Sequence, residues 1–290
     1  MTQKIKLNLN SNNDIFSVIR VLSEFNTSQD TELDIKYDSG KYAYINNDVY
    51  LILCSFVNEI KMNGKSIDIT FPITEKCKRL NYASRINFFD HLGLSYTEDF
   101  ARHDTNGNFI EISNIKKGSF NISEQFEGIF KDDFGLSKND IGNISFMIDE
   151  LICNMTMHSK SNSGAYFYCQ KFPSRQQIEI VIVDSGIGIA NSLSKAYPDL
   201  ENAEYLAKCI EYEVTSGEGR GHGLFFTSEF IRQNNCEMSL ISGGNMLKIE
   251  NNKVNLYRNP KWDGVVLKLI INFGISNSID DIVVEKYLTL

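Results

Sequence analysis

Ile178-Glu179-Ile180-Val181-Ile182-Val183-Asp184-Ser185-Gly186-Ile187-Gly188-Ile189 is the stretch on which the reading of this chain turns. Its first six residues are branched and apolar except for Glu179, which predicts a strand over 177–184. The strand ends in an acid followed by two spaced glycines. Glycine tolerates tight backbone turns and lets the main chain come close to a ligand. Taken alone, Asp184-Ser-Gly-Ile-Gly is either an ordinary Asp-x-Gly turn or a carboxylate presented at a strand end to a hydrogen-bond donor.

Working outward, the stretch is preceded by a second predicted strand, 165–172, and by a long helix, 137–158. Ser137 is a plausible N-cap with Asp140 three residues on. Ile141, Ile144, Ile148, Leu151 and Met155 recur at helical spacing and form an apolar stripe. Glu150, Asn154 and His158 are spaced by four and drift by roughly 80° in total, so they form a polar row at the stripe's edge. The bland reading of that row is a hydrogen-bonded surface. Another helical stretch is expected near 123–130.

After Asp184 comes a long polar segment, 189–220, with one helix around 202–212. It ends in Ser216-Gly-Glu-Gly-Arg-Gly-His-Gly-Leu224, which runs into a helix over 222–233. A glycine-rich loop opening a helix offers free N–H groups and the positive end of the dipole to an anion. It is not a P-loop, because Gly-Lys-Ser/Thr is absent, and it follows a polar loop where a dinucleotide fingerprint would follow a strand. Strands are then expected at 238–241, 247–250, 253–257 and 265–273, with 276–290 as an appended helix or tail. This order predicts an α+β sandwich over 115–275, a sheet covered by helices on one face.

Residues 1–114 alternate differently. Strands are expected at 4–9, 32–37 and 66–71, and helices at 14–25, 49–60 and 76–92, the last stopped by Gly93. This predicts a small α/β module. The strand-like 109–112 either closes it or leads out of it.

The ordered set is more specific than its parts. Glu150-x-x-x-Asn154-x-x-x-His158 on a helix, then Asp184-x-Gly186-x-Gly188 after a strand, then Gly219-x-Gly221-x-Gly223-Leu224 opening a helix resembles the histidine-kinase-like ATPase superfamily, over about 160 residues. That resemblance implies a Bergerat-type fold, a mixed sheet with helices on one face. It implies ATP and Mg²⁺ as cofactors. Asn154 would coordinate the metal. Asp184 would bind the adenine amino group, in a pocket shaped by Gly186 and Gly188. Gly219, Arg220, Gly221, His222, Gly223 and Leu224 would wrap the phosphates beneath a lid formed by 189–217. Glu150 matches the general base of the hydrolytic branches, and in the kinase branches the acid that activates the acceptor or orients the metal. Two positions depart from the pattern: Met157, where sensor kinases often carry a basic residue, and Val265, where many relatives carry Thr. The polar row and short lid are most similar to anti-sigma-factor serine/threonine kinases. The N-terminal module is weakly similar to STAS-type signalling domains.

Composition narrows the alternatives. A net charge of −8 argues against broad nucleic-acid binding. No apolar run suits a membrane span or a secretory signal, so a cytoplasmic protein is expected. The six cysteines form no Cys-x-x-Cys pair and read as small core hydrophobes. A histidine kinase would need a helical hairpin carrying an exposed phosphoacceptor; His91 ends an apolar helix in an alternating α/β module and reads as structural. What stays open is hydrolysis, transfer of phosphate to a protein Ser/Thr, or a non-catalytic ATP-gated module acting on a protein partner through the N-terminal module. Homodimerisation, common among such relatives, also stays open.

Overall fold

The computed structural model describes residues 2–9, 14–37, 45–72, 78–103, 107–116, 125–126, 129, 138–161, 163–216 and 223–273. The N-terminal part holds β1 (Gln3–Leu9), α1 (Ile15–Leu22), β2 (Thr31–Tyr37), α2 (Asn47–Met62), β3 (Ile67–Thr70), α3 (Lys78–Arg85) and α4 (Phe88–Leu92). The three strands form a parallel sheet in the order β1-β2-β3. Helical crossovers make that pairing the natural one. The expected helix over 76–92 is two helices, because Asn87 takes a left-handed conformation at φ 65° and breaks the run.

The second part holds β4 (Phe109–Ile115), α5 (Lys138–His158), β5 (Ala165–Phe172), β6 (Gln177–Asp184), α6 (Gly188–Leu193), α7 (Asn202–Lys208), α8 (Gly223–Gln233), β7 (Glu237–Ser242), β8 (Asn245–Glu250), β9 (Lys253–Arg258) and β10 (Val265–Asn272). These strands make one seven-stranded sheet, β4-β5-β6-β10-β7-β8-β9. The 109–115 strand therefore lies at the edge of the large sheet. The expected helix near 123–130 and the 276–290 tail lie outside the described residues, apart from Gln125, Phe126 and Ile129, of which Phe126 and Ile129 are buried in the core.

Two expectations for this sheet are corrected. It is antiparallel at every described pairing, not mixed. The connections explain why. The β7–β8 turn is Gly243-Gly244 and the β8–β9 turn is Asn251-Asn252, all with positive φ, the two-residue hairpin geometry that only antiparallel neighbours accept. The sheet is also covered on both faces, not one. On the front, Ile178, Ile180 and Ile182 of β6 join a core with α5, α7 and α8. On the back, Val181 and Val183 join a continuous core with β1, β2, α1 and α2 of the N-terminal part. The strand's period of two thus divides one apolar run between two cores.

The back interface also holds polar groups. Lys268 reaches Asp48 at 3.2 Å and Glu179 at 3.0 Å. Asn47 Nδ2 donates to Glu179 Oε1 at 2.8 Å, and Tyr82 and Tyr168 share a hydroxyl contact at 2.7 Å. Burial pushes the Asp48 carboxyl up, Lys268 opposes that, and Glu179 adds to it. A buried carboxylate pair around one ammonium fixes how α2 sits on the sheet more than it adds stability.

Candidate functional site

By its place in the strand, Asp184 must point to the front. Residues 178, 180 and 182 face that way, and 184 continues the alternation. Its side chain is buried and lines a cavity of about 610 Å³ between α5, α6, α8 and the sheet. That volume is typical of a small-molecule site. Asp184 Oδ1 accepts from the Gly186 N–H at 2.7 Å, while Oδ2 is buried with no partner. Burial pushes this carboxyl up to about 7; the N–H groups of Gly186 and Val265 oppose the shift, and Glu59 adds to it. A buried acceptor without a donor costs free energy.

The turn after Asp184 is wedged in place. A Cβ at Gly186 would lie 2.1 Å from the Ser159 carbonyl oxygen at the end of α5, and Ile187 N–H donates to that oxygen at 2.8 Å. Gly188 has φ +74°, and its Cβ would lie 2.3 Å from the Asp263 carbonyl oxygen. Trp262, the sole tryptophan, donates its indole N–H to the Asp184 carbonyl at 2.8 Å. Ser242 Oγ accepts from Ile189 N–H at 3.0 Å and donates to the Gly264 carbonyl at 2.8 Å.

The polar row on α5 lies on the same cavity. Glu150 and Asn154, one turn apart, line it together with Gly188, Gly223 and Leu224. Gly223, the first residue of α8, fits against this row: a Cβ there would lie 2.6 Å from Asn154 Nδ2 and 3.2 Å from Glu150 Cβ. Motifs separated by some seventy residues thus meet at one wall. Gly186 does not line the cavity; it packs behind it on Ser159. Gly219, Arg220, Gly221 and His222, and the side chain of His158, lie outside the described residues.

The structure adds residues the sequence did not single out. Phe146, Leu193, Phe226 and Leu240 form apolar lining, and α6 interrupts the segment expected to be polar loop. Cys153 is exposed and lines the cavity, so it is not a core hydrophobe, whereas Cys54, Cys169, Cys209 and Cys236 are buried as expected. Cys153 sits on the row side of α5, one residue before Asn154, which its apolar sequence neighbours hide. Met157, on α5, and Val265, the first residue of β10, both line this cavity. No described helix is long and apolar enough to cross a membrane. No family model and no curated protein matches this chain.

Proposed function

We propose that this cavity binds ATP with Mg²⁺ in the manner of the histidine-kinase-like ATPases, on a Bergerat-type sandwich, and that the protein uses the nucleotide for hydrolysis or to phosphorylate a protein Ser/Thr in signalling. The observation that carries the reading is the unpartnered, buried Oδ2 of Asp184, a residue that lines one cavity together with Glu150, Asn154, Gly188, Gly223 and Leu224. An exocyclic amine supplies the donor that oxygen lacks. The apolar lining from Leu193, Leu240 and Val265 suits a flat heteroaromatic ring.

The other end of the cavity suits phosphates. The N-terminus of α8, at Gly223, lies beside Asn154 and Glu150, and the positive end of a helix dipole favours an anion. Mg²⁺ keeps several waters and takes one or two protein ligands alongside phosphate oxygens, so the Asn154 amide oxygen with Glu150 nearby is a sufficient donor set. The metal would draw charge from the terminal phosphate. Glu150 would hold the proton of the attacking water or acceptor hydroxyl. The protein partner would act through the N-terminal module.

A second reading, a non-catalytic ATP-gated module, has one observation in its favour: the N-terminal part is packed directly behind the nucleotide strand. Titration calorimetry with Mg-ATP, followed by ADP release from wild type and Glu150→Ala, separates the two. Binding with Glu150-dependent turnover supports the enzyme, and tight binding without turnover supports the module. A melting temperature unmoved by saturating Mg-ATP sinks both, since a ligand at 100 times its Kd adds about 2.7 kcal/mol.

A further inference from the structure

Helix α2 is buried along most of its length, with Val49, Leu51, Ile52, Leu53, Val57 and Ile60 fully inaccessible. Three polar residues interrupt it. Ser55, Asn58 and Glu59 stand at i, i+3 and i+4 and share one face. All three address the neighbourhood of Asp184. Ser55 Oγ lies 2.6 Å from Ser185 Oγ. Asn58 Nδ2 donates to the Ser163 carbonyl at 2.9 Å, just before β5 pairs with the end of β6. Glu59 carries a buried Oε2 with no partner, and its charge acts on Asp184.

The alternation of β6 gives these contacts their consequence. Asp184 faces the cavity, so Ser185 faces the back, where α2 lies. One peptide unit joins the group proposed to anchor adenine to the group held by Ser55. The turn has no slack to absorb a displacement, because Ser159, Trp262 and Gly264 close on it from the other sides. A Cβ at Gly264 would lie only 2.0 Å from the Asp184 carbonyl oxygen.

We propose that Ser55, Asn58 and Glu59 are positioning residues for the adenine anchor, through which the N-terminal module sets the affinity of the cavity for nucleotide. The proposal rests on the nucleotide reading of the cavity. Coupling of this kind is reciprocal: what α2 does to nucleotide affinity, bound nucleotide does to α2. A partner that shifts α2 would tighten or loosen the adenine half of the site without touching the phosphate half.

The two side chains act with opposite sign. Ser55 holds Ser185, so its loss loosens the anchor. Glu59 opposes ionisation of Asp184, so its neutralisation favours the carboxylate that accepts from an amine. Among the groups that bear on Asp184, Glu59 adds a like charge from α2, Gly186 and Val265 contribute N–H groups, and Glu150 lines the same cavity.

The test uses the full chain and two probes at pH 6.5, ADP and inorganic tripolyphosphate, by calorimetry. Ser55→Ala should weaken ADP about fivefold, the equivalent of one ordinary hydrogen bond. Glu59→Gln should strengthen ADP about twofold as the ionised fraction of Asp184 rises. Tripolyphosphate affinity should stay unchanged in both, and ADP should slow amide exchange across 47–62. General loosening of the fold cannot give changes of opposite sign. A loss of ADP affinity in both variants, a parallel loss for tripolyphosphate, or ADP affinity unchanged in both overturns the proposal. If the wild type binds no ADP, the nucleotide reading fails. The positioning claim is then read from the Asp184 carboxyl and Gly186 amide resonances: displacement by both variants sustains it, and unmoved resonances overturn it.

Discussion

Replacing Asp184 by Asn should stabilise the ligand-free protein while weakening its binding to ATP. Burial raises the carboxyl from its usual 3.8 to about 7. Because the folded value lies above the unfolded one, the native state keeps a proton that the unfolded chain has lost between about pH 4 and 7. Wild-type stability therefore falls as pH rises through that window and is flat above it. The difference, 7 minus 3.8, is about 3 pH units, and at 1.36 kcal/mol each the ionised carboxylate costs at most about 4 kcal/mol. Asn carries no charge, and its Oδ1 still accepts from Gly186 N–H. The shift to about 7 already includes what the N–H groups give the carboxylate, so the expectation is a gain of at most about 4 kcal/mol at pH 8, shrinking towards zero near pH 4. Urea unfolding at pH 4.5, 6 and 8 reads the slope directly. In the same variant, ATP affinity should drop roughly 10- to 150-fold, since a charged hydrogen bond worth about 1.5–3 kcal/mol is gone. A variant less stable than wild type at pH 8, or a difference that does not change with pH, would refute the desolvated-carboxylate account.

Other perturbations read other parts of the fold. Gly223→Ala adds a methyl 2.6 Å from Asn154 Nδ2 at a helix position with no positive φ. It should leave the melting temperature unchanged or slightly raised, yet weaken Mg-ATP binding more than about tenfold as Asn154 is displaced; unchanged calorimetric affinity would remove Asn154 from the site. Lys268→Met strands Asp48 and Glu179 behind the sheet and should cost about 3 kcal/mol in denaturant unfolding. Adding Asp48→Asn and Glu179→Gln should restore most of that loss, and failure of the triple variant to recover would show that the lysine stem, not its charge, is what matters.

Much of the secondary structure was legible because it is periodic. The β6 run, the stripe on α5 and the strands of the C-terminal half are local patterns that burial in any fold would demand. The candidate residues were legible for the same reason: an acid ending a strand, a polar row beside an apolar stripe and glycines before a helix are each visible within a dozen positions. The break at Asn87 was not legible, because a left-handed residue inside an apolar helix pattern costs little and leaves no periodic trace. Coverage of the back face was half-legible. An apolar run interrupted only by Glu179 suits a strand buried on both sides, and Glu179 itself finds Lys268 and Asn47 there.

The sequence by itself determined where strands and helices form, and that Glu150, Asn154 and Asp184 stand at positions able to meet a ligand. That information is carried by periods of 3.6 and 2, which act within a few residues. Only the tertiary structure decided that α5, the β6 turn and the start of α8 enclose one cavity, and that Gly186 supports it from behind. It alone decided that α2 lies across the back of the sheet with Ser55 against Ser185. The Ser55–Ser185 contact joins residues 130 positions apart and the approach of Gly223 to Asn154 spans some seventy, and nothing local in the chain encodes them. They arise because each apolar face must be buried against another, and the face that β6 offers behind Asp184 is the one that α2 covers.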